Sequence, residues 1–149
     1  MEEQLKKIGK RQKPVLPESL QDSKVLALEI VKVAWDRNAY QTKIYDVRKL
    51  IDYTDLFVVL SGRSERQVAS IADSIQAEMK AAGAIPIGVE GRQSGTWILL
   101  DYGSVIVHIF TRDAREYYDL DRLWADAPLV KVQEPQWVLD FARDESYDF

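Results

Sequence analysis

The sequence feature that most constrains the fold is a strand–helix–strand succession in the middle of the chain. Residues 56–60 are apolar and rich in β-branched or aromatic side chains, which is typical of a buried strand. Ser64 and Gln67 follow in a capping-box pattern, which predicts that Ser64 begins a helix. Gly83 ends this helix, and a second strand at residues 85–89 follows almost at once. So close a succession predicts a crossover between two parallel strands.

The flanking segments predict further helices and strands. Asp22 or Ser23 caps a helix that fades near Asn38, because the apolar residues between them crowd one side at helical spacing. Residues 43–47 have the composition of another short strand.

A β-hairpin comes next. Residues 97–102 and 105–110 are two β-rich runs joined by a Gly-Ser pair, as in a tight antiparallel turn. Thr111 or Asp113 then caps a short helix. Together the elements predict an α/β fold with a mixed sheet of about five strands flanked by helices.

Proline and charge placement predict three regions. Residues 1–21 hold two prolines and a basic cluster, and we expect a flexible basic leader. Residues 22–128 form the folded domain, which Pro128 closes. Residues 129–149 form an acidic C-terminal tail with scattered aromatic side chains, and its state is left open.

Composition excludes several classes of site. The chain has no Cys and one His, so it has no disulfide, thiolate zinc site or multi-histidine metal site, and we expect no cofactor. The apolar runs are too short for a membrane span, and no signal peptide is recognisable, so we expect a protein of the bacterial cytoplasm. A net charge of −4 argues against strong direct nucleic-acid binding, with an N-terminal basic arm as the minority alternative.

One enzyme interpretation starts from the loop at residues 61–64. Backbone N–H groups between a strand and a helix can cradle an anion, and nucleotidyltransferase domains begin with such a turn. The loop lacks the lysine of a P-loop, and the strand at residues 105–110 has no carboxylate to hold magnesium; Asp101 stands alone on the facing strand. A glycine turn followed by a helix cap is therefore the favoured interpretation, and we predict that the chain is not an enzyme.

His108 has two interpretations. As a general base it would need an orienting carboxylate and a nucleophile, for which Asp101 and Ser104 are the candidates. A lone histidine between Ile106 and Phe110 on one strand face is more often a packing residue or part of a binding face.

Aromatic residues are concentrated in the last part of the predicted domain. A domain of this size has difficulty burying all of them, and aromatic side chains next to arginines are typical of protein–protein hot spots. This favours a binding module. The residues are Trp97, Tyr102, Tyr117, Tyr118 and Trp124, with Arg112 and Arg115 beside them.

The segment from Asp52 to Trp124 resembles the ribosomal silencing factor family, whose members are also called Iojap-like proteins. The resemblance covers about half the chain, and its part from Trp97 to Trp124 is highly specific. The matching positions are residues 55–62, 66–68, 71–73, 89–91, 97–103 and 105–110, with Arg115, Tyr117, Tyr118, Leu120, Leu123 and Trp124.

The resemblance implies a nucleotidyltransferase-like fold without catalytic carboxylates. It also implies binding to the large ribosomal subunit through ribosomal protein L14, which blocks association with the small subunit and represses translation under nutrient limitation. Organelle relatives act in assembly of the large subunit, and members are often homodimers off the ribosome.

The resemblance also suggests which residues contact the partner, although it does not separate interface from core. The leader and the tail lie outside the common part of the family and leave open an added contact to ribosomal RNA or to a second protein. The predicted partner-binding residues are Trp97, Asp101, Tyr102, His108, Arg115, Tyr117 and Leu120.

Overall fold

The computed structural model describes residues 13–140, and a single mixed sheet lies at their centre. Its order is β1-β2-β5-β4-β3; β2 and β5 run parallel, and the other neighbouring pairs run antiparallel. The predicted α/β fold with a mixed five-stranded sheet is confirmed. The strands are β1 (Tyr40–Asp46), β2 (Leu56–Gly62), β3 (Gly88–Glu90), β4 (Trp97–Asp101) and β5 (Val105–Thr111).

Two long helices cover one face of the sheet, and two short helices lie on the other. Within the residues that the structure describes, no helix combines the length and the apolar character needed to cross a membrane. The long helices are α1 (Ser23–Asp36) and α2 (Glu65–Ala81); the short ones are α3 (Arg112–Tyr118) and α4 (Leu120–Leu123).

Both predicted caps of the long helices are present. The Asp22 carboxylate accepts hydrogen bonds from the backbone N–H groups of Lys24 and Val25, at 2.9 and 3.1 Å. The Ser64 hydroxyl accepts one from the N–H of Gln67 at 3.1 Å. These bonds satisfy N–H groups that a helix start leaves without an intrahelical partner.

The central strands are buried on both faces. In β2, Val58 and Leu60 face the helices α1 and α2, whereas Phe57 and Val59 face the short helices. All seven residues of β2 are buried, as expected of a parallel pair covered on both sides.

The predicted crossover joins two strands that run parallel, but these strands are not neighbours in the sheet. β3 begins at Gly88 and pairs antiparallel with β4 at the sheet edge. It runs in the same direction as β2, but β5 and β4 lie between them. The parallel neighbour of β2 is β5, because the β4–β5 hairpin occupies the centre of the sheet.

Segments on either side of the predicted domain pack against it. Val15, in the predicted leader, exchanges backbone hydrogen bonds with Ile85 at 3.2 and 2.9 Å, and Leu20 is buried. The contacts of Val15 and Leu20 place residues 13–21, which the sequence assigned to a flexible leader, against the domain. Residues 1–12 and 141–149, parts of the predicted leader and tail, lie outside the described residues, and the domain boundaries stay a prediction.

The segment after Pro128 follows the outer edge of β1. The Pro128 carbonyl accepts from the Asp46 N–H, and the Val130 N–H donates to the Ile44 carbonyl, both at 2.8 Å. The Glu134 carboxylate accepts from the Thr42 N–H at 3.3 Å. An uncovered edge strand would present unpaired backbone groups, and this segment satisfies several of them.

Gly91, the residue after β3, provides a test of the packing between the end of β3 and the start of β4. Its φ is 81°, and a Cβ there would overlap the carbonyl oxygen of Trp97, the first residue of β4. We expect Gly91→Ala to lower the free energy of unfolding by about 2–4 kcal/mol, measured by urea denaturation.

The matched control is Gly88→Ala. A Cβ at Gly88 meets nothing within 4 Å, so the loss should stay below about 1 kcal/mol. Equal losses in the two variants would contradict the geometry around Gly91.

Candidate functional site

The structure buries six of the seven side chains that the sequence suggested for partner contact. Tyr117 is the exception, with 81% of its surface exposed. Both sheet faces are covered, so the side chains of β4 and β5 lie largely inside the protein. Partner contact stays a prediction for all seven residues, and Tyr117 is the one among them whose side chain is widely exposed. The buried six are Trp97, Asp101, Tyr102, His108, Arg115 and Leu120.

Ring contacts connect the buried aromatic residues to Tyr117. The Trp97 ring lies 5.1 Å from that of Phe110 and 4.8 Å from that of Tyr118, between ring centroids. Tyr118 in turn meets Tyr117 edge-on at 5.0 Å. Edge-to-face and offset contacts of this kind are favourable for aromatic pairs. The buried rings therefore support the exposed one.

His108 is a packing residue in this cluster. Its Nδ1 accepts a hydrogen bond from the Trp97 indole N–H at 3.1 Å, which places the proton of the neutral ring on Nε2. Burial lowers the pKa of His108 to about 3, so the ring is neutral near pH 7. Phe57 lies edge-on to it at 5.0 Å. These surroundings agree with the packing interpretation favoured from the sequence.

Asp101 and the hairpin turn have a local role. One carboxylate oxygen of Asp101 accepts a hydrogen bond from the Gly103 N–H at 2.8 Å, and this fixes the turn between β4 and β5. Tyr102 is fully buried beside it and belongs to the core between the sheet and the long helices.

Arg115 anchors the short helices to the sheet. Its guanidinium donates to both carboxylate oxygens of Asp121, at 3.0 and 3.1 Å. It also donates to the Ser61 hydroxyl at 2.8 Å and to the Gln41 carbonyl oxygen. The Tyr45 hydroxyl donates to Asp121 at 2.6 Å. The bidentate Arg115–Asp121 pair is geometrically specific and fixes α3 against α4. The bonds to Ser61, Gln41 and Tyr45 connect the two helices to β1 and β2.

The same hydrogen bonds set the charge states of Asp121 and Tyr45. Burial raises the pKa of Asp121, but the hydrogen bonds and positive charge of Arg115 outweigh it and leave that pKa below its usual range. Burial and the neighbouring Asp121 raise the pKa of Tyr45, which therefore keeps its proton as a donor. Asp121 is thus ionised at neutral pH and accepts hydrogen bonds from Arg115 and Tyr45.

A break at Asp119 divides the single short helix that the sequence predicted. Thr111 caps α3 as predicted, and Asp119 adopts the left-handed conformation, with φ 49°, before α4 begins. Aspartate tolerates this conformation better than most residues, and that was the only sequence signal for the break.

The break leaves a contiguous part of the chain with exposed apolar side chains. We call the side chains of Tyr117, Tyr118 and Leu123 the docking surface; they are 81%, 36% and 51% exposed. Tyr118 and Leu123 were not among the predicted partner-binding residues. Exposed aromatic and aliphatic side chains close together are typical of protein interfaces.

The loop at residues 61–64 is engaged in holding the fold. The Ser61 hydroxyl donates to the Gln41 side-chain carbonyl at 2.9 Å and accepts from Arg115. The Ser64 hydroxyl caps α2. Among residues 13–140, no group of three or more potential metal ligands lies close enough together to hold an ion. The geometry agrees with a turn and a cap, as favoured from the sequence.

Comparison with known proteins gives one consistent result. A family model described as "Ribosomal silencing factor during starvation" matches residues 20–147. The "Ribosomal silencing factor RsfS" of Haemophilus influenzae is 46% identical over 81 residues, covering 54% of this chain and 79% of that protein. A crystal structure of a protein from Bacillus halodurans matches with a TM-score of 0.66 and 31% identity, covering 74% of this chain and all of that one.

A more distant relative comes from mouse. It is named "Mitochondrial assembly of ribosomal large subunit protein 1" and is 28% identical over 98 residues. These residues make up 64% of this chain and 43% of the mouse protein.

The burial of His108 gives a prediction about pH. Between its native pKa of about 3 and the ordinary value of 6.5, the unfolded chain binds a proton that the native protein does not. Stability is therefore complete above pH 6.5 and falls as the pH drops, by up to about 1.4 kcal/mol per pH unit from this group.

We expect His108→Gln to lose this dependence between about pH 5 and 6.5, because His108 is the only histidine in the sequence. Urea denaturation at a series of pH values measures it. A slope as steep in the variant as in the wild type would show that His108 does not cause it.

Proposed function

The chain belongs to the ribosomal silencing factor family, and from this premise we propose that it binds the large ribosomal subunit through ribosomal protein L14 and blocks association with the small subunit. Translation is then repressed under nutrient limitation, in the bacterial cytoplasm. The observation that carries the proposal is the family match, which spans residues 20–147 and so includes nearly all of the described structure.

The docking surface is the part of the molecule that suits a protein partner best. Tyr117 is almost fully exposed, and the ring contacts of Tyr118 and Trp97 hold its helix in place. A few aromatic side chains often supply most of the binding energy of an interface. The predicted residues that are buried would then act through the shape of this surface and not by contact.

The proposed activity needs no chemical step. A bound protein prevents subunit joining by occupying a contact surface, so neither a catalytic group nor a cofactor is required. The alternative of a nucleotide-binding or nucleotidyltransferase-like enzyme is disfavoured because Ser61 and Ser64 are engaged in internal hydrogen bonds and β5 carries no carboxylate. We accordingly propose that the chain is not an enzyme.

A role in assembly of the large subunit is the second candidate. The name of the mouse relative describes assembly of that subunit, and this observation favours the candidate. Both roles use the same partner. We also propose a homodimer off the ribosome, as the family resemblance implies.

Sedimentation separates these functions. Purified large and small subunits are mixed with the protein at a magnesium concentration that normally lets them join. We expect free subunits to persist and the protein to travel with mature large subunits. Normal joining, with the protein bound only to immature large subunits, would favour assembly; no binding to either would overturn the proposal.

A substitution in the docking surface tests the contact with L14. We expect Tyr117→Ala to weaken binding to purified L14 by about tenfold or more, because an exposed tyrosine would lose its contacts with the partner. The free energy of unfolding should change by less than about 0.5 kcal/mol.

The control is Glu116→Ala, an exposed change on the same helix, which should bind L14 as the wild type does. Equal binding by both variants would remove Tyr117 from the interface. Trp97→Ala is unsuitable here, since Trp97 is buried and its loss would disturb the fold.

A further inference from the structure

A group of exposed arginines lies beside the long helices, away from the docking surface. Two adjoining cavities of about 500 and 480 Å³ run along the solvent side of α2, and they share Arg37, Arg66 and Ser70. Arg92 lines the first cavity and Arg63 the second. We call Arg37, Arg63, Arg66 and Arg92 the arginine surface.

The Gln67 side chain brings the backbones of Arg37 and Arg63 together. The Gln67 amide donates to the backbone carbonyls of Arg37 and Asn38, at 3.3 and 3.5 Å, where α1 ends. Its oxygen accepts from the backbone N–H of Arg63 at 2.6 Å, just before α2 begins. Gln67 therefore holds the end of α1 against the start of α2. The guanidinium groups take no part in these bonds.

The surface carries excess positive charge on a protein that is acidic as a whole. Among the described residues that line the two cavities, there are these four arginines and two carboxylates, Asp36 and Asp73, and Glu65 lies nearby in the first turn of α2. Asp73 pairs with Arg92 through two hydrogen bonds, at 3.1 and 2.9 Å. The chain has a net charge of −4, so the arginines are concentrated here against the overall balance.

The shape and chemistry favour an extended polyanion. Guanidinium groups match the geometry of phosphate oxygens. The cavities are shallow and open along α2, so a small anion would stay largely in solvent, whereas a phosphodiester backbone can meet several arginines in succession.

The position of the surface also relates it to the docking surface. α2 and α3 begin at the same end of the sheet, since Gly62 at the end of β2 pairs with Thr111 at the end of β5. Arg63 follows Gly62 directly, and α3 leads to Tyr117. Arg63 and the start of the helix that carries Tyr117 therefore lie at the same end of the sheet, with α2 and α3 on opposite faces.

We propose that the arginine surface binds the phosphate backbone of RNA that adjoins the protein partner. That this RNA belongs to the large ribosomal subunit rests on the proposed function. The contact is weak alone, in agreement with the predicted absence of strong direct nucleic-acid binding. It adds to the protein contact because the second binding event is intramolecular once the first has formed.

The test compares two double variants that each remove two positive charges. Arg37→Gln with Arg66→Gln changes the arginine surface, and Lys24→Gln with Lys80→Gln changes exposed lysines elsewhere on the same two helices. Binding of each protein to a short labelled RNA duplex, to purified large subunits and to isolated L14 is measured from about 50 to 200 mM salt.

We expect the arginine variant to bind the RNA duplex and the large subunit about tenfold more weakly than the lysine variant at the lowest salt. Its slope of log affinity against log salt should be smaller by about two, since each lost phosphate contact removes about one unit. Binding to isolated L14 should be the same for both variants.

Equal RNA affinity and equal salt slopes in the two variants would overturn the proposal, whether or not the subunit is bound. Weaker binding to the subunit with unchanged RNA affinity would also overturn it and indicate an acidic protein surface instead. If the wild type binds RNA through the arginines but binds neither the subunit nor L14, the arginine surface stands as an RNA site and the proposed function fails.

Discussion

The parallel pairing of β2 with β5 is the interaction on which the rest of the structure depends. Because these strands lie at the centre of the sheet, their apolar side chains point to both faces, and both faces have to be covered. The long helices α1 and α2 cover one face. The short helices α3 and α4 lie on the other, and the Arg115–Asp121 pair joins them to each other. Further bonds from Arg115 to Ser61 and Gln41, and from Tyr45 to Asp121, connect the two helices to the sheet.

The need to cover both faces of the sheet explains why most residues of the family pattern are buried. Trp97, His108 and Leu120 fill the space under the short helices, and Arg115 fixes the position of α3. A surface built on two short helices depends on what lies below it more than a long helix does. A pattern shared by relatives therefore marks the supports of the surface as well as the surface itself.

Local features of the fold could be predicted from the sequence, and non-local ones could not. The caps at Asp22, Ser64 and Thr111 and the β4–β5 hairpin depend on neighbouring residues, so their patterns were sufficient. The neighbour of β2 depends on which distant strand pairs with it, and nothing in residues 85–89 carries that information.

In the candidate site, too, local features could be predicted from the sequence and non-local ones could not. Sequence pattern identified the segment that holds Tyr117, but burial depends on the whole sheet, so the sequence could not show that the other six suggested side chains are buried. The break at Asp119, which exposes Leu123, depends on a conformation that aspartate adopts only occasionally. The arginine surface was missed because its members come from three separate segments that Gln67 and Asp73 bring together.

The segment that follows the outer edge of β1 has a consequence for self-association. A sheet with two open edge strands can add further copies at both edges, whereas a sheet with one open edge stops at a pair. Among residues 13–140, residues 128–130 and Glu134 are bonded along β1, so this edge of the sheet is closed to a strand from another copy. For this part of the chain, pairing of copies through the sheet edges therefore stops at two and does not grow into fibres.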